Sequence, residues 1–278
     1  MKSLEKNICK HFFLYATLLF VCACGKKIEP LPVTNDAQIS FYNASDALLG
    51  QVFGNTANSN NFVFIDKPDT NYKRPENLSY SIYPCFTTIT PQSFPHATDS
   101  WLTFMRISSG SHKFYLMDSA KHLLDTAVAN IKSDVPVSIF YTDSLGYFSH
   151  YVAADAFTRQ DKKIGLRIIN LSPFDQPVFL TFNQRAIDSL PDEIRYLQHT
   201  GFVPVNMATD SLLNIKAYQQ GDSLDILAAT QLRVYPGHAY TILLSGYTSN
   251  NPGSYTDPLT GRLVFLQTTY AIKVFQNF

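Results

Sequence analysis

The chain has 278 residues, 45% of them hydrophobic and 14% aromatic, and its 22 Lys+Arg balance 22 Asp+Glu to a formal net charge of +0. It carries no basic stripe or arginine cluster, the minimum electrostatic footprint for neutralising phosphates, and this excludes nucleic acid as a partner. The length suffices for one large hydrophobic core or two small ones.

At the N-terminus, Lys2, Lys6 and Lys10 precede an apolar run from Phe12 to Ala23, which Lys26 and Lys27 close. A basic region followed by a short apolar one reads as an export signal. A membrane-spanning helix needs about 20 apolar residues, more than this run offers. Val21-Cys22-Ala23-Cys24 resembles the lipobox of bacterial lipoproteins. That resemblance implies cleavage before Cys24 and lipidation of Cys24, which would tie the protein to a membrane through several acyl chains. Cys22 fits less well, because Phe20 and Val21 would then occupy the small-residue positions. Residues 1–23 are read as the signal peptide and 24–36 as a lipidated tether, polar and holding Pro30 and Pro32. The expected location is the cell envelope, as an outer-membrane lipoprotein. Cys9 and Cys22 leave with the leader, so Cys85 alone remains for the folded part. An unpaired thiol in an exported protein is expected to be buried.

From Ala37 onward the chain breaks into short period-2 runs rich in Val, Ile, Phe, Tyr and Thr, separated by Asn, Asp, Ser, Gly and Pro: AQISFYNA, SHKFYLMDS, VSIFYTD, IGLRIIN, LNIKAYQQ and AYTILLSG. This predicts an all-β fold. PDEIRYLQH is expected to add a short helical turn, with Asp188, Asp192 and Glu193 around Pro191 as its caps. The segment SNNPGSYTDPLTG, Ser249 to Gly261, reads as an extended hairpin before the last strand.

An internal repeat divides the all-β region. Tyr42-Asn43-Ala44-Ser45 matches Ile169-Asn170-Leu171-Ser172, and WLTFMRISSGSHKFYL from Trp101 lies without a gap on FVPVNMATDSLLNIKA from Phe202. The repeat predicts two tandem immunoglobulin-like β-sandwich domains, 37–160 and 161–278, joined within Phe157 to Lys163. The first copy carries an extra segment, roughly 54–100, that the alignment leaves without a counterpart.

These strands, with the endings of SFYNAS and RIINLSPFDQPVFLTFN and the late strand VYPGHAYTILLSG, resemble domain of unknown function 4397. The resemblance implies a secreted or lipid-anchored bacterial protein with tandem immunoglobulin-like units. It carries no catalytic motif to transfer.

The chain has no G-x-S-x-G, H-E-x-x-H or G-x-G-x-x-G. Of the histidines beyond the leader, His96, His112, His122, His150, His199 and His238, no two stand at i, i+2 or i+4. No enzyme activity, metal or cofactor is expected. His112 shares a strand face with Phe114 and reads as a half-buried rim histidine. Long aromatic-bearing loops on a rigid sandwich are where binding chemistry concentrates, so Tyr72, Tyr80 and Phe94 of the extra segment are the candidate binding residues, forming an aromatic platform for a glycan or a protein partner. The alternative is a carbohydrate-active or other hydrolytic enzyme using the same platform. Acid–hydroxyl–apolar tripeptides at Ser119, Thr126, Ser144, Ser189, Ser211 and Ser223 resemble bacterial O-glycosylation acceptors, and also suit ordinary turns.

Overall fold

A computed structural model of the chain describes residues 36–54, 60–72, 83–96, 101–173, 176–207, 209–219 and 225–277. The first half runs β1 (Asp36–Asn43), α1 (Asp46–Gly54), β2 (Asn61–Ile65), β3 (Cys85–Phe86), β4 (Ser93–Phe94), β5 (Met105–Ser108), β6 (Gly110–Met117), β7 (Leu123–Ile131), β8 (Val137–Ser144) and β9 (Tyr147–Ala154). The second runs β10 (Lys163–Asn170), β11 (Val178–Phe182), β12 (Glu193–Ile194), β13 (Val203–Asn206), β14 (Ser211–Gln219), β15 (Ile226–Val234), β16 (Ala239–Ser245), β17 (Ser254–Thr256), β18 (Leu263–Phe265) and β19 (Ala271–Gln276). The fold is all-β, built of open sheets packed in pairs.

The repeat is visible strand by strand. In the first half β1 pairs β8 in parallel and β5 antiparallel; in the second β10 pairs β16 in parallel and β13 antiparallel. The facing sheets run β3-β2-β6-β7 and β12-β11-β14-β15, with bulges after Leu116 and Ala217 at matching places. The repeated asparagine explains itself chemically. Asn43 Nδ2 donates to the Pro91 carbonyl and its Oδ1 accepts the Ser45 N–H; Asn170 Nδ2 donates to the Ile194 carbonyl and its Oδ1 accepts the Ser172 N–H. Each amide thus ties the end of a central strand to the next connection, where backbone groups would otherwise be buried unpaired.

The structure corrects three expectations. Met105 faces Ile39 and Val203 faces Leu166, so β5 and β13 are three residues out of step with the ungapped match, and the loops before β6 and β14 absorb the difference. The segment 54–100 is not an addition to a complete sandwich. Its strand β2 is the equivalent of β11, β3 pairs β2 as β12 pairs β11, and β4 lies on β1 where His199 bridges Ile169. The extra length sits in connections such as 66–84, against 183–192 in the second half. Finally, Asp192 and Glu193 cap no helix, because Glu193 and Ile194 form β12 on the edge of β11.

Three apolar clusters lie between four layers. The first sandwich closes over Ile39, Phe41, Val63, Phe114 and Ile139. The second closes over Leu166, Ile168, Leu180, Ile215 and Ile242. Between them Tyr42 and Phe140 from β1 and β8 pack against Ile169, Leu243 and Phe275 from β10, β16 and β19. The central strands are therefore buried on both faces, and residues 36–278 form one compact unit.

The inner interface also holds polar groups. Arg167, from β10, is 1% exposed and donates through Nη2 to Asp155 Oδ1 at 2.6 Å, and Asp155 is 0% exposed. Ser138 Oγ and Asn277 Nδ2 also donate to Asp155, and the Arg167 guanidinium reaches Thr241 Oγ1 and lies over the Phe202 ring. Burial pushes the Asp155 carboxyl up, and Arg167 and these hydrogen bonds hold it back. Cys85 is buried, as the sequence implied, in a cluster with Phe62, Phe64 and Met117.

Candidate functional site

Two elements break the repeat, and they meet. α1 follows β1 directly; Ser45 caps it by accepting the Leu48 N–H at 2.9 Å, Asp46 places an acid in the first turn, and Leu48 and Val52 are buried beneath it. The β17–β18 hairpin lies between β16 and β19, where the first half joins β8 to β9 by the two residues Leu145 and Gly146. α1 and the hairpin wall a groove of about 640 Å³.

The groove is braced from below. Gly146 has φ +82°, and a Cβ there would meet Pro258 and Tyr255 at 2.8 Å, so glycine lets the hairpin rest on the β8–β9 turn. Asp143, buried beneath the turn, accepts from Ser45 Oγ at 2.5 Å, from the Ala47 and Gly146 N–H groups and from the Tyr247 hydroxyl at 2.9 Å. The Tyr247 oxygen in turn accepts the Leu145 N–H. The Thr269 hydroxyl donates to Asp46, tying the start of α1 to the chain that leaves the hairpin. Burial raises the Asp46 carboxyl above its ordinary value, with Asp143 adding to the effect and Thr269 and Lys273 opposing it.

The walls are apolar and open to solvent: Phe53 of α1 is 61% exposed, and Leu263 and Phe265 of β18 are 60% and 76% exposed. Large apolar side chains gathered at one cleft are informative where scattered ones are not. Asp46, Asp118 and Asp257 line the same groove against Arg262 alone, which makes its charge negative.

Of the residues singled out from the sequence, Tyr72 and Phe94 do not lie together. Tyr72 stands edge-on to Phe62 and Tyr83, on the outer face of the β2–β6 sheet. Phe94 lies opposite Phe41 in β4 and packs against the first core. Tyr72 and Phe94 are both half-buried and belong to different clusters; Tyr80 lies outside the described residues, as do Cys24 and Ser223. Ser119 and Ser189 are exposed in turns, while Thr126, Ser144 and Ser211 are half-buried in strands. Phe53, Leu263 and Phe265 were missed. Their one sequence signal is an apolar triplet, LVF, in a stretch that otherwise reads as polar hairpin.

A hydrolytic arrangement deserves weighing at Ser108, His112 and Asp66. His112 Nδ1 is 2.9 Å from Asp66 Oδ2, and Nε2 is 3.3 Å from Ser108 Oγ, in the order of a serine triad. Nε2 lies closer to the Ser108 carbonyl oxygen, at 2.8 Å, than to the Ser108 hydroxyl, so the contact does not single out a nucleophile–base pair. The cluster fastens the β5–β6 corner to the end of β2. At Asp66, desolvation raises the carboxyl, but the His112 and Lys113 hydrogen bonds outweigh it and the net shift is downward. Among the described residues no three His, Cys, Asp or Glu side chains converge on a metal position, and no helix is long and apolar enough to cross a membrane.

No family model matches the sequence, and no curated protein matches it.

Proposed function

We propose that this is a lipid-anchored envelope protein, acylated at Cys24, that acts without catalysis as a binding module and holds its partner in the groove between α1 and the β17–β18 hairpin. The observation that carries the reading is the coincidence of the two departures from the repeat. Each half makes its sandwich without the other's extra element, and the two elements meet around exposed Phe53, Leu263 and Phe265. Position agrees. The tether joins β1 at Asp36 and the groove begins where β1 ends, about 25 Å further along the strand. The tandem sandwich serves as a stiff spacer, its halves clamped by the Arg167–Asp155 pair.

The test is a photo-reactive amino acid at Phe265, compared with one at Ile226 on β15, in intact cells. The Phe265 probe is expected to give discrete adducts that disappear on Phe53→Ser, and the Ile226 probe none. Equal adducts from both positions, or indifference to Phe53→Ser, would remove the groove from the account. Separately, Cys24→Ala is expected to move the protein from the membrane to the soluble fraction; if Cys22→Ala does so instead, the acylated residue is misassigned.

A further inference from the structure

The groove has a wall made of backbone. Arg262 to Gln267 line it without a gap, whereas on the β17 side only the alternate residues Tyr255, in the strand, and Asp257, just past its end, do so. Lining by every residue of a strand marks its edge, and lining by every second residue marks a face. Among the described residues β18 pairs with β17 alone, which leaves its other edge unpaired there. The register says which groups stand there. The Asp257 N–H donates to the Arg262 carbonyl at 2.8 Å and the Leu266 N–H to the Gly253 carbonyl at 2.9 Å. With Tyr255 opposite Val264, residues 262, 264 and 266 are the hydrogen-bonded positions of the antiparallel pair. The N–H and C=O groups of Leu263 and Phe265 therefore point away from β17, toward the side that α1 closes.

An open strand edge facing a helix across a cleft is the geometry in which a peptide is added as an extra strand. Two backbone donor–acceptor sets two residues apart match an extended chain and no helix. Phe53 on one wall and Leu263 and Phe265 on the other favour apolar side chains. Three lining carboxylates, Asp46, Asp118 and Asp257, against the Arg262 guanidinium favour cationic ones. We infer that the groove takes an extended segment of a partner protein, with apolar and basic residues in alternation, as a third strand on the free edge of β18. This rests on the groove being the binding site, and names what it binds. It also gives the exposed edge a use: an uncovered edge with bulky apolar side chains is otherwise a template for aggregation.

The probe is a fluorescein-labelled heptapeptide alternating Lys and Val, titrated into the full chain and followed by polarisation. Companion peptides replace Lys by Glu, or carry N-methyl groups on the valine amides or on the lysine amides. A strand added to one edge uses one alternate set of amides, so methylating one of the two sets should weaken binding at least about tenfold, and Glu for Lys should abolish it. Leu263→Pro removes an outward N–H without touching the β17 ladder, and should weaken binding to the same degree. The methylated peptides carry the test on the unaltered chain, so a folding defect in Leu263→Pro leaves it intact. If both methylated peptides bind like the parent while Phe53→Ser abolishes binding, strand addition is wrong and the groove reading stands. If the Lys/Val peptide binds no better than the Glu/Val peptide, or binds regardless of Phe53→Ser, strand addition and the groove reading both fall.

Discussion

Arg167 and Asp155 form an ion pair of 2.6 Å in which both partners are sealed from water, one on the first strand of the second sandwich and the other just past the last strand of the first. Burying either charge alone is costly, and the network around them satisfies both: Ser138 and Asn277 on the carboxylate, Thr241 and the Ala154 carbonyl on the guanidinium. The pair fixes how one sandwich meets the other. Arg167→Ala or Asp155→Ala should each cost about 3–5 kcal/mol, because the surviving charge stays buried, while the double change Arg167→Met with Asp155→Leu should cost much less. Chemical denaturation of the three variants checks this. Additive losses would mean that the pair does not act as a unit.

The shared inner cluster also bears on unfolding. Tyr42, Phe140, Ile169, Leu243 and Phe275 leave water only when the two sandwiches are together. Residues 36–278 should therefore unfold in one transition, seen alike by fluorescence and by circular dichroism, with a calorimetric enthalpy equal to the van't Hoff value. Two resolved transitions would show that the sandwiches fold separately.

Asn43 and Asn170 do the same work in the two halves. Each makes one bond to a distant carbonyl and accepts one N–H two residues on. Asn43→Ala and Asn170→Ala should each destabilise by about 2–4 kcal/mol, the penalty for leaving a buried donor and acceptor unpaired. A loss below about 0.5 kcal/mol at either position would mean that the repeated asparagine is not a structural fastener.

Much of this was legible in the sequence, and the rest was hidden for definable reasons. The period-2 runs gave the strands, and the Asn-x-Ser endings and the β6–β14 match gave the repeat. The four-layer stack was not legible because its inner face carries Ser40, Ser138, Thr142, Arg167 and Thr241. On a strand, such residues alternating with apolar ones look like a solvated face. Here they are buried beneath a second sheet and hydrogen-bonded, as in the Ser40–Ser138 contact of 2.7 Å between the neighbouring strands β1 and β8. The aromatic residues of 54–100 read as a platform because the sequence does not show which sheet each one packs on: Tyr72 stands against Phe62, and Phe94 lies opposite Phe41. The groove was illegible because it joins α1 to a hairpin more than two hundred residues later, as the Asp46–Thr269 bond with its sequence separation of 223 illustrates.

The Tyr141 hydroxyl is wholly buried in the first core and finds no hydrogen-bond partner among the described residues, and burial raises its pKa well above the ordinary value. An unpaired buried hydroxyl is a cost that phenylalanine does not carry. Tyr141→Phe should raise stability by about 1 kcal/mol, read as a higher melting temperature. A fall instead would show that the hydroxyl is satisfied in solution.

The Asp66 carboxyl, held below its ordinary range, fixes the sign of one pH dependence. A carboxylate with a depressed folded pKa binds its proton more readily in the unfolded chain. Its contribution is present above the unfolded value, about 3.9, and is lost as the pH falls through the folded one. The stability gap between wild type and Asp66→Asn should be seen at pH 6 and shrink below about pH 4. Because Asp66 is exposed, the gap should be small and weaken with salt. A gap that grows on acidification would contradict the assignment.

The central claim is that the groove is occupied where the protein works. It is most directly tested by the reactivity of a cysteine placed at Phe265, which points into solvent beside the groove, since Cys85 is buried. Maleimide labelling of Phe265→Cys is compared between the purified protein and permeabilised native envelopes, with Ile226→Cys as reference. A partner present at ten times its Kd leaves about a tenth of the sites free. Labelling at Phe265 should then be about tenfold slower in the envelope while labelling at Ile226 is unchanged. Equal rates at Phe265 in both settings, or equal slowing at both positions, would contradict it.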